Sequence, residues 1–197
     1  MIHIHCKEIN GMWFAAAITN EAVIATTFAS NEKDALKHLL KDLPYNTPFQ
    51  MAEKPTQFSE KVLTALKSIF DGKDISPRFE LEMKPLSAYA QKVLKCVSSI
   101  PAGYVTTYGE VAKAMGGSPR AVGRVMATNP FPPLVPCHRV VRSDFTLGGF
   151  GLGGTALKWE ILQRENRGYQ EGAKIDVDGK SLSLFPVNFL RKDQGRR

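Results

Sequence analysis

Asn129-Pro130-Phe131-Pro132-Pro133-Leu134-Val135-Pro136-Cys137-His138-Arg139-Val140-Val141 sets a cysteine beside a histidine at the end of a proline-stiffened, mostly apolar approach. Each proline fixes φ and removes a backbone donor, and the residue before it is pushed to extended geometry. The run is therefore expected to be rigid and non-helical, with the Cys137 thiol aimed in one direction. A thiol becomes an effective nucleophile as thiolate, which a neighbouring base or positive surroundings favour. Free cysteine is also among the residue types most often buried for packing alone. The adjacency of Cys137 and His138 therefore needs support from the rest of the chain.

Length and composition narrow the setting. At 197 residues the chain fits one large or two small domains and can bury a real core. It has no apolar run of about 18 residues, and Met1-Ile2-His3-Ile4-His5-Cys6 lacks the charged-then-apolar layout of a secretory signal. The expected setting is the cytoplasm, or the nucleus in a eukaryote, with no membrane. Cys6, Cys96 and Cys137 are odd in number and far apart, which argues against a disulfide framework. His3 and His5 share a strand face, but Cys6 points away from it, and a closed zinc site needs more placed ligands than these. No metal and no cofactor is expected. Charge is uneven: residues 1 to 85 hold ten basic and eleven acidic side chains, residues 86 to 197 sixteen and eight. An excess of cations confined to the half with Cys137 suggests a polyanionic partner.

Residues 1–84 read as a small α+β structural unit. Short β-branched or aromatic runs at residues 2–6, 12–18 and 22–28 are separated by turn signals at Asn10-Gly11 and Asn20-Glu21. Asn31, with Asp34 three positions on, caps a helix to about Leu40; a second helix runs from near Ser59 to Phe70 and stops at Asp71-Gly72. Pro77 to Pro85 reads as a connector with an extended piece at 79–83. Ser87 then opens a helix to about Ser99, in which Cys96 is assigned to packing.

Residues 85–170 carry most of the candidate chemistry. Thr107-Tyr108-Gly109-Glu110 matches a capping box, Val111, Ala112 and Met115 follow at helical spacing, and Gly116-Gly117 stops them. Ser118-Pro119 starts another helix, which ends at Asn129-Pro130. Two short helices about a glycine turn make a helix-turn-helix. Arg120, Ala121, Gly123 and Arg124 keep the second helix slim and positive, suited to a nucleic-acid groove and to phosphate at its N-terminus. Residues 149–154 fit G-x-G-x-x-G, yet only the short Val140-Val141 strand precedes them and too little chain follows for a dinucleotide unit. They are read as a loop that bends or admits a ligand against its backbone. A helix with Leu157, Ile161 and Leu162 inward and Glu165 near its end follows. Residues 171–197 form a basic appendix, hairpin-like about Asp178-Gly179 and polar at its close.

The helix-turn-helix, Asn129, the run from Pro136 through Val141, the glycine-rich loop and Glu165 together resemble the O6-alkylguanine-DNA alkyltransferases, over about residues 86 to 168. The resemblance implies an α+β fold in two parts, a ribonuclease H-like N-terminal domain and a winged-helix-like DNA-binding domain. It implies a monomer that binds duplex DNA in the minor groove, flips out an O6-alkylguanine or O4-alkylthymine, and transfers the alkyl group irreversibly to its own cysteine. On that reading Cys137 is the acceptor, His138 takes the thiol proton through a water, and Glu165 orients His138. Asn129 stabilises the turn, Arg120 replaces the flipped base, and Tyr108 aids flipping and donates a proton toward guanine. Ala121, Gly123 and Arg124 belong to the DNA face, and backbone at Cys137, Val140 and Leu152 reads the base edge. Two other classes would use the same residues: a damage-recognition module with a structural Cys137, and a Cys-His-Glu hydrolase that turns over.

Overall fold

Strand alternation and one tight turn build the first sheet. The computed structural model describes residues 1–20, 22–75 and 79–191, and among them six α-helices and two four-stranded sheets. Strands β1 (Ile2–Ile9), β2 (Met12–Ile18) and β3 (Val23–Ala29) form an antiparallel meander, and β4 (Phe49–Met51) joins parallel to β1, giving the order β3-β2-β1-β4. Asn10 and Gly11 both have positive φ, 53° and 78°, the geometry whose twist matches a two-residue hairpin.

Helix α1 (Glu32–Lys41) and helix α2 (Gln57–Phe70) cover opposite faces of this sheet. Ala15 and Ala17 of β2 pack with Ala35 and Leu39 of α1, whereas Phe14, Ala16 and Ile18 pack with Val62, Leu63 and Leu66 of α2. Burial on both faces explains why β2 is almost wholly apolar. The Asn31 side chain accepts from Asp34 N at 2.9 Å, as its spacing implies. Helix α2 begins two residues earlier than expected, because Thr56 and Ser59 cap it reciprocally, Ser59 N to Thr56 Oγ1 at 3.1 Å and Thr56 N to Ser59 Oγ at 2.9 Å.

The second sheet, in order β6-β5-β8-β7, joins β5 (Tyr104–Thr107) and the parallel β6 (Val140–Val141) to the hairpin of β7 (Ala173–Val177) and β8 (Lys180–Pro186). Tyr104 pairs with Pro186 and Val105 with Phe185, so the hairpin continues the sheet that carries the cysteine's exit strand. Around it lie α3 (Ala88–Ser98), α4 (Tyr108–Met115), α5 (Pro119–Ala127) and α6 (Gly154–Glu165).

The two sheets meet through the edge of β3. Val23 exchanges backbone bonds with the 79–83 stretch, donating to Glu80 O and accepting from Glu82 N at 2.9 Å each, and Thr26 N donates to Pro130 O at 2.8 Å. A continuous apolar core runs beneath, from Phe14, Phe28 and Phe70 to Val97, Val122 and Phe131. Glu21, residues 76–78 with the start of the expected connector, and the polar close at 192–197 lie outside the described residues. Among the described residues no helix is long and apolar enough to cross a membrane.

Candidate active site

The proline run is non-helical as expected, but it turns rather than extends: Val135 N donates to Phe131 O at 2.9 Å across it, and Asn129 ties it into a fixed loop. Asn129 Nδ2 donates to Val135 O and its Oδ1 accepts from Phe131 N, both at 3.0 Å and both buried. The chain then makes one 3-10 turn, Cys137–Arg139, and enters β6. Cys137 is 9 % exposed and lies on the wall of a cavity of about 450 Å³. Tyr108 of α4, Gly123 and Met126 of α5, Pro132 and the 149–152 loop share that cavity with it. So do His38, Lys41 and Asp42 at the end of α1, which the sequence reading assigned to the structural unit. Phe150 of the loop sits on Phe28 of β3, ring centroids 6.4 Å apart. Gly148 has φ 69°, and a Cβ there would come to 3.3 Å from Tyr108 Oη, so a glycine lets the loop pass the tyrosine.

Behind the thiol is a buried chain of charge. His138 Nε2 donates to Glu165 Oε1 at 2.9 Å. Arg139 donates to the same carboxylate through Nε at 2.9 and 3.1 Å and through Nη2 at 2.7 Å, and its Nη1 caps Ile100 O. Asp74, after α2, reaches Arg139 Nη2 at 3.4 Å. His138, Arg139 and Glu165 are 1 %, 4 % and 0 % exposed. Burial alone would raise the Glu165 carboxyl, but the hydrogen bonds from His138 and Arg139 and the Arg139 charge outweigh that and hold it below the usual carboxylate range. Burial pushes the His138 imidazole down, against the pull of Glu165. The imidazole is therefore neutral, and Arg139 is the cation on which the ionisation of Glu165 rests. With Nε2–H committed to Glu165, Nδ1 is left as the acceptor.

The thiol itself departs from the simple expectation. Burial pushes Cys137 up, against the Asn129 side chain, the Lys158 charge and the backbone N–H groups of Cys137 and His138, which all pull it down. At rest the sulfur is protonated, and its neighbours moderate that rather than reverse it. Burial also raises Tyr108, with Cys137 adding to the shift, so Tyr108 keeps its proton and can donate it.

Lys158 and Arg139 are the buried charged residues to which the sequence reading gave no role. Lys158 is fully buried in α6, and its Nζ donates to Val140 O at 2.7 Å and Leu147 O at 2.6 Å, tying β6 to the start of the glycine-rich loop. Its position was a usable signal, three and four residues before the inward Ile161 and Leu162 and seven before Glu165, all on one helix face.

Helix α5 turns Val122, Val125 and Met126 inward and leaves Arg120 and Arg124 exposed, with Ala121 and Gly123 half-buried. Ser118 caps it, accepting from Ala121 N at 3.2 Å. Val140 is buried with its N–H bonded to Cys137 O and its carbonyl bonded to Lys158, whereas Leu152 lines the cavity. Away from this site, His3 Nδ1 lies 3.1 Å from Gln50 Nε2, and no group of three or more His, Cys, Asp or Glu among the described residues is arranged to hold a metal.

Residues 88–167 match the family model of the 6-O-methylguanine DNA methyltransferase DNA-binding domain. The methylated-DNA–protein-cysteine methyltransferase of Methanothermobacter thermautotrophicus is 40 % identical over 114 residues, 56 % of this chain and 63 % of that protein, so the alignment spans less than two thirds of that relative. The protein of the same name from Thermococcus barophilus is 33 % identical over 171 residues, 83 % of this chain and 93 % of that one. A crystal structure of Mycobacterium tuberculosis OGT in complex with DNA matches with a TM-score of 0.65 at 27 % identity, covering 83 % of this chain and 92 % of that chain. With a relative matched along nearly its whole length, and with the cysteine, histidine and glutamate brought together in space, this chain belongs to the methylated-DNA–protein-cysteine methyltransferase family.

Proposed function

We propose that this protein repairs DNA by direct reversal, binding duplex DNA, taking an O6-alkylguanine or O4-alkylthymine out of the stack and moving the alkyl group irreversibly to Cys137. The observation that carries this reading is a cysteine on the wall of a cavity of about 450 Å³, followed in sequence by a buried neutral imidazole that an ionised carboxylate orients.

Sγ attacks the alkyl carbon in line while the C–O bond breaks, and the electron pair goes to the base. The thiol proton passes through a water to His138, and Tyr108 supplies a proton to the departing base. The imidazolium and phenolate left behind neutralise each other through solvent, so that in sum the guanine exchanges its alkyl group for the thiol's proton. Because the resting thiol is protonated, this transfer belongs to the reaction itself, and the thiol is spared from adventitious electrophiles beforehand. A thioether has no ready hydrolytic route, so each molecule acts once, without metal or cofactor.

On the DNA side, α4 and α5 act as a helix-turn-helix that lays α5 in the minor groove. The small residues Ala121 and Gly123 permit close approach, Arg124 meets phosphate, and Arg120 occupies the space the base has left. Unstacking a base costs a few kcal/mol, which these contacts offset. The DNA complex of the mycobacterial relative supports DNA as the partner. Residues 1–84 are read as a ribonuclease H-like domain, 85–170 as the winged-helix-like acceptor domain and 171–197 as an appendix whose hairpin completes that domain's sheet, the whole working as a monomer.

The test is incubation with duplex DNA containing O6-methylguanine. One methyl mass is expected on the peptide holding Cys137, at one equivalent per protein, and none with Cys137→Ala. Repeated turnover, or a thiol that survives excess damaged duplex, refutes the reading.

A further inference from the structure

We infer that Thr26, in the N-terminal sheet, is a positioning residue for alkyl transfer, holding the proline segment so that the Cys137 sulfur meets the alkyl carbon. The inference rests on the alkyl-transfer reading above and concerns a residue some hundred positions away in sequence.

A segment rich in proline keeps its carbonyls but loses its donors, and buried carbonyls must be satisfied from elsewhere. Prolines occupy positions 130, 132, 133 and 136, all buried. Three carbonyls of the stretch are met locally: Phe131 O by Val135 N at 2.9 Å, Val135 O by Asn129 Nδ2 at 3.0 Å and Cys137 N at 2.8 Å, and Pro136 O by Arg139 N at 2.9 Å. Pro130 O and Pro132 O are both met by Thr26, the first by its N–H at 2.8 Å and the second by its hydroxyl at 2.9 Å.

Thr26 is fully buried and sits in β3 opposite Ala16 of the inner strand β2, so the anchor belongs to a rigid element. Pro132 lies on the same cavity wall as Cys137. Displacing that wall displaces the sulfur relative to a bound base, and misplacement of about 1 Å can cost about a hundredfold in rate. The neighbouring Thr27 supplies a built-in control, since it is equally buried but its hydroxyl has no hydrogen-bond partner among the described residues.

Thr26→Val keeps the shape and the backbone bond but removes the hydroxyl donor, leaving Pro132 O unsatisfied. The measurement is the single-turnover rate of methyl transfer at saturating O6-methylguanine duplex, alongside the Kd for undamaged duplex and the thermal midpoint. Thr26→Val is expected to slow transfer about tenfold or more with Kd unchanged, and Thr26→Ser and Thr27→Val to stay within about twofold of the parent. Should Thr26→Val fold poorly, Thr26→Ser against Thr26→Ala makes the same comparison across one oxygen atom. A Thr26→Val rate within about twofold of the parent overturns the inference, as does a Thr26→Ser protein slowed equally, which would point to the methyl group instead. Failure of the unmodified protein to accept a methyl group would overturn the alkyl-transfer reading itself, and the control reaction distinguishes that outcome.

Discussion

The two halves of the molecule treat buried polarity in opposite ways. From α3 onward, His138, Arg139, Lys158 and Glu165 are all but inaccessible, and each makes at least one buried hydrogen bond. In the first 75 residues the buried polar groups are neutral, and three atoms there, His5 Nε2, Thr27 Oγ1 and His38 Nδ1, are the buried side-chain atoms without a protein partner among the described residues. The thiols divide by surroundings as well. Burial, with an acidic neighbour adding to it, pushes Cys6 and Cys96 to about 11 against one opposing group each, whereas Cys137 is also raised by burial but has a side-chain amide, a lysine and two backbone N–H groups pulling the other way. Fully satisfied buried networks specify one arrangement, and loosely satisfied ones do not. The contrast teaches that buried polar order is concentrated around Cys137, and that Thr26 is the point at which the plainer half bonds into the segment leading to it.

The strongest way to break this comparison is to remove one carboxylate from each half. Glu165→Gln leaves the Arg139 guanidinium buried against a neutral amide and His138 with only an uncharged amide to orient it. A loss of about 3–5 kcal/mol and a transfer rate lower by about a hundredfold or more are expected, read by urea unfolding and single-turnover kinetics. Glu60→Gln removes the exposed 3.0 Å pair with Lys7 and is expected to cost less than about 1 kcal/mol. The pH dependence follows from the same groups. Glu165 is held below its ordinary 4.5, so its contribution is complete above 4.5 and is lost as the pH falls below that value. His138, neutral when folded and free to take a proton when unfolded, removes further stability as the pH drops below its ordinary 6.5. Glu165→Gln should lack the first of these losses and keep the second.

Charge gives a second, smaller contrast. The first 85 residues carry a net −1 and the remainder +8. If phosphate contact is confined to the second half, Arg124→Ala should lower the slope of log affinity against log salt by about one, while Lys37→Ala, equally exposed on α1, should leave it unchanged. Equal effects would mean that both halves face the duplex.

What was legible in the sequence was local. Asn10-Gly11, Asn31, Ser118-Pro119 and Asp178-Gly179 each contain within a few residues the geometry they impose, and each turn or cap forms where its residues stand. Helix α2 was misjudged by two residues because serine replaces the usual glutamate or glutamine of a capping box, so that Ser59 read as an opening rather than a third position. Strands β4 and β5, three and four residues long, exist because a neighbouring strand pairs with them. The same limit applies at the site. Cys137, His138 and Glu165 could be nominated from their order, but the upward push on the thiol, the anchorage of Lys158 on two carbonyls and the arrival of α1 at the cavity are products of packing. Chain neighbours of Cys137 suggest only the groups that lower its pKa; the burial that outweighs them is a property of the whole fold.

The smallest expected effect tests the comparison most finely, because it uses the same chemistry in both halves. Asn31 caps α1 and Ser118 caps α5, each accepting from the backbone N–H three residues on, at 2.9 and 3.2 Å. Replacing either by alanine should cost about 1 kcal/mol, a shift of about 2–4 °C in thermal midpoint for a chain of this size. Their effects on DNA should differ. Ser118→Ala loosens the first turn of α5, where Arg120 and the unpaired N–H groups would meet the duplex, and is expected to weaken binding about two- to fivefold. Asn31→Ala loosens the start of α1, three helical turns or so from the end that lines the cavity, and should leave binding unchanged. Equal destabilisation with unequal binding would assign the DNA surface to α5 through a change of one side-chain oxygen, whereas equal binding losses would show that the scaffold half shapes that surface as well.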